Sequence, residues 1–368
     1  MGSLPHVVED CLGIVQVFSD GSVFRSEDIK FPMEVQDDGS AVWKDCLFDK
    51  KHNLYLRLYR PRSPSAAKLP ILYFFHGGGF CVGSRTWPNC HSCCLRLASA
   101  LQVLVVAPDY RLAPEHRLPA ALDDASTAVK WLQNQALLSN SGGGDEWLAG
   151  GGVDFDRVFI VGDSSGGTLA HHLAVELGRG SPDLAPVRVR GYVLMAPFFG
   201  GTVRTKSEAE GPPEQFLNLE ILDRFWRLSV PIGQTADDPV ANPFGPSSPT
   251  LEPIELGPIL VLVGGSEVMK DRIEDYSKRL KEMGKDIECL VFQDHQHGLD
   301  GGARIATCRR IPVFGMGGIG NFTLITLSVR TNNVMAQCYY RVDKPYKYPY
   351  ETDNLDDVMR FEILRGSI

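Results

Sequence analysis

The chain has 368 residues, of which 43% are hydrophobic and 22% charged, a composition typical of a folded globular protein rather than a disordered one. Its formal net charge of −8, without a basic stripe, argues against nucleic-acid binding, which needs positive charge to displace counterions from phosphates. No stretch approaches the roughly 20 apolar residues of a membrane span, and the N-terminus lacks a signal-peptide pattern. We therefore expect a cytoplasmic protein, with a nuclear pool also compatible, that does not bind membranes.

Apolar segments that end in turns predict a series of strands. Residues 12–60 contain the turn clusters 19–22 and 37–40 and should form short extended segments, with an alternating strand at 54–59. Continuous apolar runs further along the chain are typical of buried parallel strands. They cover residues 70–75, 101–108, 157–161, 189–196, 259–263 and 287–292.

Segments of helical periodicity lie between these strands, at residues 119–134, 168–178, 217–229 and 271–283. Strands that alternate with helices indicate an α/β fold with a mostly parallel central sheet and helices on both faces. Glycines at 139–153 predict a surface loop. Residues 201–250, rich in Pro, Glu and Ser, fall outside the rhythm and are predicted to form a cap insertion above the strand ends.

The nine cysteines are scattered and odd in number, so they do not outline a disulfide framework. Cys90, Cys93 and Cys94, with His91 among them, contain one C-x-x-C pair, but no second pair stands at zinc-ligand spacing. We interpret them as the packing face of a helix, and we expect no metal site.

The pentapeptide Gly162-Asp163-Ser164-Ser165-Gly166 follows a predicted buried strand and precedes a predicted helix. This context is typical of a nucleophile elbow, a tight turn that exposes a serine above the sheet edge. The helix that follows presents its N-terminal amides to a developing anion. Ser164 is therefore the candidate nucleophile, against the alternative of a turn that merely ends a strand.

A second glycine-rich segment, His76-Gly77-Gly78-Gly79-Phe80, follows an earlier buried strand. Acyl transfer needs hydrogen-bond donors where negative charge develops, and glycine amides can approach a substrate closely. The candidate oxyanion donors are the backbone amides of Gly77, Gly78, Gly79 and Ser165, with Gly78 and Gly79 preferred within the loop.

In the fold that carries such a nucleophile elbow, the acid and the histidine follow the serine in the chain. His297 is the candidate base because Gly298 lets the loop turn, with His295 in reserve. Glu267 stands directly after the strand at 259–263 and is the candidate acid. Asp271, one helical turn later, is its reserve. His171 and His172 fall on the helix after the elbow and are expected to pack or to face solvent.

Taken with Asp109-Tyr110-Arg111-Leu112-Ala113-Pro114-Glu115, these motifs resemble the hormone-sensitive-lipase-like α/β hydrolases. The segment 18–25 makes the chain similar to plant carboxylesterases, relatives of the gibberellin receptors. The resemblance covers residues 8–298 and implies an α/β-hydrolase fold, cofactor-free hydrolysis of a carboxylic ester and a mainly structural role for Asp109 and Arg111. A Glu at position 267 is similar to the carboxylesterase 15 type, whose substrates are strigolactones, butenolide plant hormones.

The resemblance implies a hydrolase domain at 1–298, with a cap formed by about 1–40 and 201–250. Residues 299–368 depart from the family pattern and are treated as an atypical C-terminal extension, with strands predicted at 322–330 and 335–342. The expected partner is a small ester or lactone substrate. Two other functions stay open on this fold: a hormone receptor without turnover, and a dehydratase that uses the same oxyanion hole.

Overall fold

A computed structural model describes residues 4–27, 29, 31, 34–64, 68–212, 217–292, 327–331 and 334–338 of the chain. Its centre is an eight-stranded sheet with the strand order β11-β10-β9-β8-β6-β7-β5-β4. The strands are β4 (Ala41–Asp49), β5 (Leu54–Pro61), β6 (Leu69–Phe75), β7 (Leu104–Pro108), β8 (Val153–Asp163), β9 (Val189–Met195), β10 (Ile259–Gly264) and β11 (Ile287–Phe292). The six strands from β11 to β7 are parallel, and β5 and β4 continue the sheet in antiparallel pairs.

Helices cover both faces of this sheet, as the sequence predicts. They are α1 (Pro88–Leu101), α2 (Ala120–Asn140), α3 (Ser165–Leu177), α4 (Lys206–Glu210), α5 (Leu219–Ser229) and α6 (Lys270–Glu282). Successive residues of a strand point to opposite faces, so each central strand contributes to two cores. Leu72 and Phe74 pack with α1 on one face, whereas Ile71 and Tyr73 pack with α2, α3 and α6 on the other.

The cysteines at 90, 93 and 94 lie on the buried face of α1, as the packing interpretation predicts. The strand predicted from residue 101 was placed too early, because Leu101 closes α1 and Gln102 leaves the helix in a left-handed conformation (φ 56°, ψ 52°). Strand β7 therefore begins at Leu104.

The N-terminal segment forms a separate three-stranded antiparallel sheet, here called the N-terminal meander: β1 (Val7–Cys11), β2 (Val15–Phe18) and β3 (Val23–Arg25). In the C-terminal extension, β12 (Leu327–Thr331) and β13 (Val334–Cys338) form an antiparallel pair that overlaps both strands predicted there. The rest of residues 293–368 lies outside the described residues.

Candidate active site

Ser164 stands at the junction between the central strand β8 and helix α3, where it is the N-cap residue of the helix. Its backbone has φ 52° and ψ −116°, a conformation that side-chain-bearing residues rarely adopt and that costs of the order of 1–3 kcal/mol. Only 7% of the residue is exposed, so the surrounding structure encloses this turn. This is the strained turn that the sequence context of Ser164 predicts.

The two glycines around Ser164 are required by close backbone contacts. A Cβ on Gly162 would lie 1.9 Å from the carbonyl oxygen of Gly166. A Cβ on Gly166 would lie 2.1 Å from the carbonyl oxygen of Phe75, the last residue of β6. The first turn of α3 therefore packs directly on the end of the neighbouring strand, which brings Ser164 close to the loop that follows β6.

That loop is the glycine segment 77–79. Gly78 has φ 122° and its Cβ would lie 2.0 Å from the carbonyl oxygen of Val82, so only glycine fits. The peptide chain turns there, with the amides of Cys81 and Val82 both donating to the Gly78 carbonyl. A Cβ on Gly77 would lie 3.1 Å from Cβ of Ser164. The structure thus brings the glycine loop against the serine turn.

Glu267 follows β10 and is 2% exposed. Its amide donates to the carbonyl of Gly264 (3.3 Å), and its carboxylate Oε2 accepts from the Gly264 amide at the same distance. The reserve acid Asp271 is engaged elsewhere, because its carboxylate accepts from the amide of Ser207 (2.7 Å) at the start of α4. These contacts favour Glu267 over Asp271 as the acid near the sheet edge.

Both candidate bases, His295 and His297, lie outside the described residues. The other two histidines weighed from the sequence are on α3 and pack in the core. His171 Nδ1 is 2.9 Å from the Tyr276 hydroxyl, and His172 Nε2 is 3.1 Å from the Val240 carbonyl oxygen. Burial lowers the pKa of His171 well below its ordinary value and lowers the pKa of His172 as well.

The residues of the Asp109 segment form ion pairs. Asp109 accepts from the amide of Arg85 (2.7 Å) and pairs with its guanidinium. Arg111 forms a bidentate pair with the buried Asp124, Nη2 lying 2.8 Å from Oδ1. These contacts are consistent with the structural role that the resemblance implies.

Among the described residues, Asp49, His52 and Asp124 offer oxygen and nitrogen atoms within 4.8 Å of one another, a grouping that could suggest a metal site. His52 Nδ1 is 2.7 Å from Asp49, and Arg111 already neutralises Asp124. We interpret the group as part of the ion-pair network.

Comparison with known proteins agrees with this geometry. Residues 72–300 match a family model described as an alpha/beta hydrolase fold. Probable carboxylesterase 8 of Arabidopsis thaliana is 35% identical over 77% of this chain and 84% of its own length. The chain belongs to the plant carboxylesterase family of α/β hydrolases.

The family also includes receptors. The gibberellin receptor GID1C of Arabidopsis thaliana is 32% identical, over 72% of this chain and 77% of the receptor. Among solved structures, an esterase of Pyrobaculum calidifontis superposes with a TM-score of 0.57 at 30% identity, over 70% of this chain and 77% of that one. The predicted fold is confirmed, and so is the prediction of a carboxylic ester hydrolase.

No helix in the described part of the chain is both long and apolar enough to cross a membrane.

The sequence did not reveal that part of the 201–250 region packs on the glycine loop. A Cβ on Gly79 would lie 2.4 Å from the ring of Phe225, so α5 rests directly on the loop. Trp226 stacks on Phe198 with ring centroids 4.1 Å apart, and Phe198 follows closely after β9. The strong amphipathicity of residues 217–229 could have indicated this packing, but not the surface that it covers.

The N-terminal meander contacts the same region. Arg25 pairs with Glu115 (2.7 Å) and donates to the carbonyl oxygens of Cys81 and Ala113, both at 2.7 Å. Glu9 accepts from Arg224 and Arg227 of α5, at 3.0 and 2.9 Å. The meander and α5 thus contact each other next to the glycine loop.

Proposed function

We propose that this carboxylesterase is a serine hydrolase that hydrolyses a small carboxylic ester or lactone through an acyl-enzyme. Ser164 is the nucleophile, His297 the general base and Glu267 the acid that orients the imidazole. The observation that carries the proposal is the conformation of Ser164, φ 52° and ψ −116°, at a strand-to-helix turn that contacts a glycine loop. Strain of this kind persists where the surrounding structure enforces it, and it concentrates at reactive groups.

In the proposed reaction His297 takes the proton of the Ser164 hydroxyl as Oγ bonds to the substrate carbonyl carbon. The carbonyl π electrons move to its oxygen, which becomes an oxyanion. As the carbonyl re-forms, the bond to the alcohol oxygen breaks and His297 returns the proton to that leaving group. Water then attacks the acyl-enzyme by the same steps, releasing the acid and restoring Ser164. Every proton is returned, so the cycle needs no cofactor.

The oxyanion is proposed to accept hydrogen bonds from the amides of Gly77, Gly78, Gly79 and Ser165. The contact between Gly77 and Ser164 supports this assignment, because it places the loop beside the atom that attacks. The N-terminus of α3 contributes a favourable partial positive charge at the same point. Donors held in place before the reaction avoid the cost of reorganisation during it.

The substrate class proposed is a small ester or lactone, with strigolactones as the specific candidates because the Glu at position 267 is similar to the carboxylesterase 15 type. The cap is proposed to comprise residues 1–40 and 201–250 and to select the substrate. The contacts of the N-terminal meander and α5 beside the glycine loop support that role. Phe225 and Trp226 give this region an aromatic character that suits an apolar acyl or lactone group.

Substitution Ser164→Ala should abolish turnover of p-nitrophenyl acetate while the protein stays folded, since the alanine variant lacks the attacking oxygen. Release of p-nitrophenol measures turnover, and circular dichroism checks the fold. Ser181→Ala is the matched control, because Ser181 is also buried but lies beyond the far end of α3. Undiminished activity in Ser164→Ala would contradict the serine mechanism.

The receptor GID1C among the relatives favours a second candidate, a hormone-binding protein without turnover. Mass spectrometry of products formed from a strigolactone panel separates the functions. A hydrolase cleaves an ester to an acid and an alcohol, or opens a lactone to a single hydroxy acid that is heavier by one water. A receptor binds the intact compound without changing it, and a dehydratase yields a product lighter by one water.

A further inference from the structure

Tyr110 lies between the two proposed sides of the oxyanion hole. It follows β7 by two residues and is 3% exposed. Its ring stacks on the imidazole of His76, with centroids 4.3 Å apart and an interplanar angle of 15°. His76 is the first residue after β6 and immediately precedes the glycine loop.

The Tyr110 hydroxyl contacts both sides at once. It donates to the carbonyl oxygen of His76 at 2.9 Å and lies 3.3 Å from Oγ of Ser165, the first residue of α3. The single phenolic proton is committed to the His76 carbonyl, which can only accept. The Ser165 hydroxyl therefore donates to the Tyr110 oxygen, and the two bonds form a chain from helix to loop.

Two further observations support this pair of hydrogen bonds. Burial raises the pKa of Tyr110 well above its ordinary value, so the hydroxyl keeps the proton it donates. His76 Nδ1 lies 2.8 Å from the carbonyl oxygen of Gly77, and burial lowers the pKa of this imidazole. The neutral ring thus carries its proton on Nδ1 and donates a hydrogen bond to the glycine loop.

We infer that Tyr110 is a positioning residue for the oxyanion hole, whose hydroxyl fixes the separation between the glycine-loop amides and the Ser165 amide. The inference rests on the proposed function. Donors on two separate elements stabilise an oxyanion only when both stand at hydrogen-bond distance from the same point. Packing holds α3 against β6, but van der Waals contact permits sliding, whereas two directional bonds through one oxygen resist it.

This role predicts a defect in the chemical step rather than in substrate binding. In Tyr110→Phe the ring and its stacking stay, and only the bridging oxygen is lost. We expect kcat for p-nitrophenyl acetate to fall roughly 10- to 100-fold. This fall is smaller than or similar to the fall in kcat that follows removal of one oxyanion donor. KM should stay within about twofold, since the interaction is realised in the transition state.

The matched control is Tyr73→Phe. The Tyr73 hydroxyl is also fully buried and donates to a backbone carbonyl, that of Ala128 at 2.8 Å, but on α2 away from the glycine loop. Tyr73→Phe loses one buried hydrogen bond and Tyr110→Phe loses two, so the thermal midpoint should fall in both variants, and at least as far in Tyr110→Phe. Only Tyr110→Phe should show a lower kcat than the wild type. Its inhibition constant for a trifluoromethyl ketone, which forms an oxyanion with Ser164, should rise by the same factor as kcat/KM falls.

A wild-type kcat in folded Tyr110→Phe, or an equal kcat loss in both variants, would overturn the inference. If Tyr110→Phe does not fold, Ser165→Ala takes its place. That change removes only the second bond and should lower kcat by about threefold, and an unchanged kcat there would also overturn the inference. Wild-type turnover with an inactive Ser164→Ala establishes the proposed function separately, so the inference can fail while the proposed function stands.

Discussion

At position 166 the choice of residue is dictated by neighbouring backbone. A Cβ there would lie 2.1 Å from the carbonyl oxygen of Phe75 and 2.8 Å from that of His76. Because both are backbone atoms, one in the last residue of β6 and one in the residue after it, no side-chain rotation can relieve the overlap. Any larger residue must displace either the strand end or the first turn of α3, and with it the geometry around Ser164.

Gly166→Ala should therefore lower the free energy of unfolding by about 1–3 kcal/mol, the usual cost of overpacking a close contact. Gly152→Ala is the control, because a Cβ on Gly152 meets nothing within 4 Å. That change should stay within about 0.5 kcal/mol of wild type. Urea denaturation measures both values, and equal midpoints for the two variants would show that the contact is not limiting.

At the scale of elements, the N-terminal meander is attached to the domain by the side chains of Cys11 and Val15, which are buried in the main core, and by a few polar contacts. Arg25 makes the central one, binding Glu115 and the carbonyl oxygens of Cys81 and Ala113. The charged bonds to carbonyl groups are partly shielded from solvent, which makes them stronger than an exposed ion pair. We expect the meander to open locally when they are lost.

Arg25→Ala should raise the hydrogen-exchange rates of amides in β1–β3 by about tenfold, with β8 and β9 unchanged. Arg157→Ala is the matched control. Arg157 also pairs with a carboxylate, Asp154, and with a backbone carbonyl, that of Lys68, but away from the meander. Exchange in β1–β3 that does not respond to Arg25→Ala, or responds equally to both variants, would mean that other contacts hold the meander.

The sequence predicts elements whose signals are local. Apolar runs locate the core strands, and Gly162 helps to identify the elbow because its constraint, the contact with Gly166, acts within one turn. The order of strands in the sheet could not be predicted, since it depends on pairing between distant segments. The role of Tyr110 was missed for the same reason, as its hydroxyl partners lie 34 and 55 residues away in the chain.

At the scale of the whole molecule, burial of histidines couples folding to pH. Burial lowers the pKa of four histidines in different parts of the domain: His76, His91, His171 and His172. The shift is pronounced for His171, where the charge of His172 adds to burial. Each of these rings is favoured in its neutral form by the folded state.

A lowered pKa in the folded state means that the unfolded chain binds more protons between the two values, so stability rises with pH in that window. The stabilisation is complete above about pH 6.5 and is lost as pH falls through the folded-state pKa of each ring.

His171→Asn, whose amide can replace Nδ1 beside Tyr276, should be less stable at pH 7 but lose less stability on acidification. The slope between pH 6.5 and 5 should decrease by up to about 1.4 kcal/mol per pH unit. Urea denaturation at several pH values measures it, with the exposed His116→Asn as control, and identical slopes in both variants would exclude His171 as a source of acid sensitivity.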